Sequence, residues 1–118
     1  MKPTAAISVG VVVCLLRAGA ASAITDDQYR AIGGLGELNG IALHCRYLDQ
    51  TRRMKRALVE VLPRRRALGQ GFDDATNESF LRFIAEKSDC PDKAAFDQRV
   101  GEALRVLERA FGRSINEQ

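Results

Sequence analysis

Two cysteines, Cys45 and Cys90, constrain the fold of this chain more than any other feature of its sequence. They lie 45 positions apart, and the third cysteine, Cys14, belongs to an N-terminal segment that we expect to be removed. An even pair of cysteines in an exported protein is typical of a disulfide. In the chain-entropy account, closing a loop of this length stabilises a fold by about 4 kcal/mol. The sequence therefore predicts one domain held by one disulfide.

Two other uses of the cysteine pair are a metal thiolate site and a redox-active thiol. Neither Cys45 nor Cys90 belongs to a Cys-x-x-Cys motif, and no set of further ligands lies near either of them in the sequence. Reactive and metal-binding cysteines usually occur in such motifs. We therefore expect a structural disulfide, no metal and no cofactor.

The first 23 residues have the composition of a cleaved secretory signal peptide. Lys2 supplies the positive start, residues 5–16 form an apolar run, and residues 21–23 (Ala-Ser-Ala) form a small-residue cleavage site. The apolar run is shorter than the roughly 20 residues that span a bilayer. An uncleaved anchor and a lipoprotein modified at Cys14 are the alternatives. We predict export to the periplasm, with Ile24 as the first residue of the mature chain.

The charges of the mature chain are unevenly distributed. Removal of 23 of the 118 residues leaves 16 basic and 15 acidic residues, so the net charge is only +1. Residues 46–66 carry eight basic and two acidic side chains, whereas residues 24–45 and 67–118 are net acidic. The sequence therefore predicts a basic segment in a mildly acidic body.

Apolar residues recur at helical spacing through residues 24–112, and no alternating strand pattern of any length occurs. The first predicted helix starts at a capping box formed by Thr25 and Gln28. Its apolar stripe continues to Leu48, with several glycines that predict a flexible or kinked first half. Gly36 and Gly40 fit either a phosphate-binding loop or a close helix contact, and the missing Lys-Ser/Thr ending favours the contact.

Three further helices are predicted. The second runs from a Thr51 cap to Leu62 and ends at Pro63. The third extends to about Ser88 with a phenylalanine-bearing stripe. The fourth begins at an Asp92 cap and stops at Gly112, leaving a flexible tail at 113–118. The predicted fold class is all-α: a small four-helix bundle stapled by one disulfide that links the end of the first helix to the start of the last.

Side chains that could perform catalysis are few. His44 is the only histidine, and a disulfide would remove the adjacent thiol as a nucleophile. Asp73, Asp74 and Glu78 are close in sequence, but carboxylates on a helix with alternating charges usually cap it or pair with its neighbours. We therefore predict a protein that is not an enzyme.

The basic segment is the best candidate for a binding site. Convergent guanidinium groups suit phosphates and carboxylates, and aromatic residues are not interleaved as nucleic-acid binding would require. The alternative, which the sequence leaves open, is that these cations pair inside the domain with acids such as Asp73, Asp74, Asp26, Asp27 and Glu37. The candidate residues are Arg46, Arg52, Arg53, Lys55, Arg56, Arg64, Arg65 and Arg66.

The residues after Cys90, Pro-Asp-Lys-Ala-Ala-Phe96-Asp-Gln-Arg-Val100-Gly-Glu-Ala, resemble the end of HdeA-type periplasmic acid-stress chaperones, as does the layout of the two cysteines. The region around Cys45 and the basic segment do not share this likeness. The resemblance implies an exported helical protein with one disulfide that protects other proteins at low pH.

These observations predict a small exported helical protein that works by binding another macromolecule, in a chaperone-like or accessory role. The expected partner is a protein, with an anionic lipid or a cell-wall polymer as further possibilities, and the chain itself could form a homodimer. Nucleic acid is not expected. A toxin-neutralising immunity protein and a binder of anionic envelope ligands are the alternative functions.

Overall fold

The computed structural model describes residues 3–4, 10–11 and 23–115. Most of the predicted signal peptide and the last three residues of the predicted tail lie outside these ranges. Four helices and no strands occur in the described chain: α1 (Asp26–His44), α2 (Leu48–Val61), α3 (Arg66–Ala85) and α4 (Lys93–Phe111). The prediction of an all-α, four-helix fold is confirmed.

Helix α1 lies at the centre of the fold. Among the described helices, α1 contacts the other three, α2 also contacts α4, and α3 contacts α1 alone. A helix between neighbours on opposite sides must be apolar or small on more than one face. The nine buried residues of α1 meet this condition, and they are Ala31, Ile32, Leu35, Gly36, Leu38, Asn39, Gly40, Ile41 and Ala42.

The helix directions follow from contacts along their lengths. Successive positions of α1 meet successive positions of α3, so these two helices run parallel. The Gln28 side chain donates to the Ala110 carbonyl at 3.1 Å, which places the start of α1 beside the end of α4. Asp49 lies 3.6 Å from Lys93, which makes α2 parallel to α4. The chain therefore runs up, down, up, down.

The close helix contact predicted at Gly36 and Gly40 is confirmed. A Cβ at Gly36 would lie 2.6 Å from the Ala75 Cβ, and one at Gly40 would lie 2.7 Å from the Phe80 amide nitrogen. Only glycine allows the backbones of α1 and α3 to approach so closely. The buried stripe of α3 faces this contact, and it consists of Leu68, Phe72, Thr76, Ser79 and Phe83.

The second layer of the core lies between α1, α2 and α4. Its largest side chain, Phe96, is fully buried near the start of α4, and Tyr47 packs on it with ring centroids 5.5 Å apart. The other buried apolar residues of α2 and α4 recur every three or four positions, as an amphipathic helix requires. They are Met54, Ala57, Val61, Val100, Leu104 and Leu107.

Three predicted helix ends are confirmed. The Thr25 hydroxyl accepts from the Gln28 amide at 3.1 Å while the Gln28 side chain accepts from the Thr25 amide at 2.9 Å. An Asp92 carboxylate oxygen accepts from the Ala95 amide at 3.2 Å. Gly112 ends α4 with φ of 63°, a left-handed conformation.

The predicted boundary between the first two helices is wrong. The stripe of α1 ends at His44 instead of reaching Leu48, and α2 starts at Leu48, so Thr51 is a buried position inside α2 and not its cap. The reason is a tight turn at Arg46, where the Tyr47 amide donates to the Ala42 carbonyl at 2.8 Å. This hydrogen bond is the six-to-one bond of the Schellman motif, which reverses a helix within three residues.

Two smaller predictions also need correction. The glycines do not break α1, which is one unbroken helix from Asp26, because its first turn is capped and its later glycines are packed against α3. Helix α3 ends at Ala85, three residues before the predicted end, because Lys87 adopts φ of 50° and turns the chain.

The predicted disulfide is confirmed. Cys45 and Cys90 are bonded, with Cα atoms 5.7 Å apart. Cys45 caps the C-terminus of α1 and Cys90 lies two residues before the cap of α4, so the bond joins the two helix ends that were expected. None of the helices in residues 23–115 combines the length and the apolar character that a membrane crossing needs.

Candidate basic contact surface

Three of the eight predicted site residues share the outer side of α2. Arg52, Lys55 and Arg56 are exposed, whereas Met54, Ala57 and Val61 of the same helix are buried on its inner side. The separation follows from the helix period, since positions three and four apart share a face. We call Arg52, Lys55 and Arg56 the basic face.

Arg53 has a different role from its neighbours. Its guanidinium points toward α4, where it lies 3.3 Å from a carboxylate oxygen of Asp97, and its side chain is only 30% exposed. The same oxygen accepts from the buried Gln50 amide at 2.7 Å. Arg53 is therefore a structural link between α2 and α4, although the sequence placed it in the candidate site.

The remaining four candidates lie at the two ends of α2. Arg46 forms the turn between α1 and α2, close to the disulfide. Arg64, Arg65 and Arg66 follow Pro63 at the other end, where Arg65 is half-buried and caps α3. A helix of 14 residues is about 21 Å long. The eight residues therefore extend along the whole of α2 instead of converging on one point.

The ion pairs bear on the alternative that these cations pair inside the domain. Within the described residues, no acidic group lies within 4.0 Å of the charged groups of Arg46, Arg52, Lys55, Arg56, Arg64 or Arg66. Acids that were possible partners bind other cations: Asp27 pairs with Arg30 at 3.7 Å, and Glu37 with Arg82 at 4.0 Å. Internal pairing therefore does not account for these six cations.

Uncompensated cations on one side of a helix produce a local positive potential. At physiological ionic strength this potential extends about 8 Å into the solvent. It can attract phosphate or carboxylate groups, and arginine offers such groups two parallel hydrogen bonds. Because the cations are exposed and screened, the attraction should be reversible and sensitive to salt.

Two apolar residues on the outer side of α2 were not recognised from the sequence. Val59 is 85% exposed and Leu48 is 50% exposed. The apolar pattern places Leu48 in the predicted stripe of the first helix and assigns Val59 to no face. Once the start of α2 is known, their positions relative to Arg52 and Lys55 show that all four share one side.

A groove of about 360 Å³ lies between α1 and α4. Small and aliphatic residues such as Ala31, Ala103 and Val106 line it together with charged ones. Helix α1 contributes Arg30 and Glu37, and α4 contributes Arg99 and Glu102. The balanced charges give this groove no preference for an anion or a cation.

The residues with possible catalytic chemistry are dispersed. His44 lies against the rings of Phe80 and Phe83, with ring centroids 5.8 and 4.9 Å away. Asp73 and Asp74 are exposed on α3, and Glu78 lies 4.0 Å from Arg82. Among the described residues, no group of three or more histidine, cysteine or acidic side chains is placed to hold a metal ion.

No protein-family model, no curated protein and no solved structure matches this chain. Conclusions about function therefore depend on the residues of the chain and their arrangement.

Proposed function

We propose that this chain is an exported helical binding protein without catalytic activity, and that it holds an anionic partner on the basic face of α2. One observation carries the proposal: Arg52, Lys55 and Arg56 are exposed together, and no acid of the described chain lies within 4.0 Å of their charged groups. Cations without an internal role are free for a partner.

Export is supported by the disulfide. A disulfide that links two helix ends is stable in an oxidising compartment and rare in a reducing one. Together with the signal-peptide composition of residues 1–23, it favours a periplasmic protein. An intact-mass measurement on protein made with its own N-terminus should show the loss of residues 1–23 and the two-hydrogen difference on reduction.

The binding proposal is tested with tagged residues 24–118 and an envelope extract. We expect an anionic partner to be retained at low salt and released at high salt. The triple variant Arg52→Gln, Lys55→Gln, Arg56→Gln should no longer retain the partner. The substitutions remove three positive charges, and glutamine is a good helix former that should leave α2 intact. Arg53 is left in place because it links α2 to α4.

The chain offers a matched control with the same loss of charge. Arg99, Arg105 and Arg113 are exposed and lie outside α2. Replacing all three by glutamine should leave the partner bound. Equal loss of the partner in both triple variants would show that only the net charge matters, and a clean protein with no retained component at any salt concentration would contradict the proposal.

A chaperone-like role is the second candidate, and exposed apolar residues on α3 favour it. Leu81 is 64% exposed and Ile84 is 47% exposed, one turn apart on α3, which contacts α1 and no other described helix. An exposed aliphatic patch can hold apolar segments of an unfolded client. Suppression of client aggregation by the mature chain at low pH would support this role, and unchanged aggregation would count against it.

A further inference from the structure

The outer side of α2 combines cations with large apolar side chains. Leu48, Arg52, Lys55 and Val59 stand at positions i, i+4, i+7 and i+11, which share one side of a helix. Val59 is 85% exposed, more than any other large apolar residue in residues 23–115 that lies in a helix. An isolated exposed aliphatic side chain needs no explanation. Here one stands at each end of a row of cations that have no acidic partner within 4.0 Å among the described residues.

The acids of α2 do not interrupt this side. Asp49 and Glu60 are rotated roughly 90° and 110° away from the axis of this row, given about 100° of rotation per residue. Asp49 is also engaged by Lys93 of α4 at 3.6 Å. The row from Leu48 to Val59 therefore carries positive and apolar groups only, and the exposed Asp49 and Glu60 lie at its edge, on the flank that also bears Arg56.

This combination distinguishes between anionic partners. A charged polymer presents phosphates or carboxylates but no apolar layer, so Val59 would stay in water. An anionic bilayer presents both, because its phosphates lie a few ångströms above the acyl chains. Arginine and lysine can reach the phosphates while their aliphatic stems lie along the apolar boundary. A convex helix side can also lie on a bilayer surface without a preformed pocket.

We propose that the side of α2 bearing Leu48, Arg52, Lys55, Arg56 and Val59 lies on the surface of an anionic lipid bilayer. The basic face contacts lipid phosphates, and Val59 enters the boundary between headgroups and acyl chains. The inference depends on the proposed function and names the partner for the same surface. Each cation near an anionic membrane contributes roughly a fivefold gain in partitioning, so the three of the basic face contribute about a hundredfold.

The test is co-sedimentation of residues 24–118 with lipid vesicles, one set of equimolar phosphatidylglycerol and phosphatidylcholine and one of phosphatidylcholine alone. We expect binding to the anionic vesicles at low salt and none to the neutral ones. The triple glutamine variant of the basic face should bind about a hundredfold more weakly. The matched variant of Arg99, Arg105 and Arg113 should bind within a few-fold of the unmodified chain.

A second pair of variants tests the apolar contact. Val59→Ser should weaken binding to anionic vesicles on the order of tenfold, because it removes an inserted aliphatic group. Leu81→Ser, at another exposed aliphatic position on α3, is the control and should have no effect. Both positions are exposed, so neither substitution should disturb the fold, and circular dichroism checks this directly.

Several results would overturn the inference. Equal binding to both kinds of vesicle would do so, as would equal effects of Val59→Ser and Leu81→Ser. If the envelope extract yields a partner that the basic face retains, yet anionic vesicles are not bound, the partner is an acidic protein or polymer and the proposed function stands. If neither the extract nor the vesicles are retained, both proposals fail.

Discussion

Arg46 shows how one residue sets the geometry of a whole connection. It adopts φ of 59° at the turn between α1 and α2, a region in which side chains other than glycine, asparagine and aspartate are uncommon. The Tyr47 and Arg46 amides donate back to the Ala42 and Leu43 carbonyls at 2.8 and 3.4 Å. These hydrogen bonds hold the residue in an unfavourable conformation.

We expect Arg46→Gly to raise the free energy of unfolding by up to about 1 kcal/mol. Relief of the left-handed conformation contributes about 1–2 kcal/mol, and the greater freedom of glycine in the unfolded chain offsets part of it. Urea denaturation measures the change. Arg52→Gly is the control, since the same replacement inside α2 should lower stability by about 1 kcal/mol. Destabilisation by both variants would contradict this account of Arg46.

Arg53 and Arg52 show how neighbouring residues of one type acquire different roles. Arg53 lies 3.3 Å from Asp97 and is half-buried, whereas Arg52 is exposed on the basic face. One step along a helix rotates a side chain by about 100°, which is enough to move it from a helix contact to the solvent. A binding test that removes Arg53 would therefore combine a loss of stability with a loss of charge.

At the scale of elements, the contact between α1 and α3 depends on two glycines. Among the four described helices, α3 contacts α1 alone, so a substitution that separates these two helices removes the helix contact of α3. The Ser79 hydroxyl donates to the Glu37 carbonyl at 2.6 Å, and the Asn39 amide donates to the Thr76 hydroxyl at 3.2 Å. These polar contacts require the close approach that glycine allows.

Gly40→Ala should destabilise the fold strongly, by about 2–3 kcal/mol. Its Cβ would lie 2.7 Å from the Phe80 amide nitrogen, a backbone atom that cannot move away without shifting α3. Gly33→Ala is the matched control, because no atom of the other described helices lies within 4 Å of the Cβ that it would add. The free energy of unfolding of the control should rise by about 1 kcal/mol, because alanine has a higher helix propensity than glycine. Thermal unfolding followed by circular dichroism measures the midpoint of both variants. Equal shifts of the two midpoints from that of the unmodified protein would contradict the proposed packing.

Helix α2 has the clearest division between two faces. Its inner residues pack against α1 and α4, while its outer residues carry the cations and the exposed Val59. The helix needs the inner face for stability, so its outer face is free to vary with function. Substitutions on the outer face should therefore change binding with little change in stability.

The whole molecule is small, and the disulfide compensates for its limited core. A domain of this size buries only about 60–65% of its unfolded surface, and its stability should be on the order of 5–10 kcal/mol. The bond between Cys45 and Cys90 closes the loop that contains α2 and α3 entirely. It thereby restricts the unfolded chain, which is the main way in which a disulfide stabilises a fold.

The double variant Cys45→Ser, Cys90→Ser should lose about 4 kcal/mol of unfolding free energy. Treatment of the unmodified protein with reductant should give the same loss, which separates the effect of the bond from that of the substituted side chains. Urea denaturation under both conditions measures it. An unchanged denaturation midpoint after complete reduction would show that the helix contacts alone hold the fold.

By itself, the sequence determined the features that depend on neighbouring residues. The capping box at Thr25, the Asp92 cap, the Gly112 stop and the apolar stripes follow from local hydrogen bonding and helical periodicity. The disulfide followed from the number of cysteines and their context, and the close contact at Gly36 and Gly40 from the absence of side chains at a one-turn spacing.

Only the tertiary structure decided which helix is central, where α2 begins and which cations are free. The start of α2 depends on a left-handed residue, Arg46, whose conformation no local pattern indicates. The rotation of α2 against α4 pairs Arg53 with Asp97 and leaves Arg52 with no acid of residues 23–115 within 4.0 Å. That rotation is set by packing of distant residues such as Met54 and Phe96 in one shared core, which is a property of the whole fold.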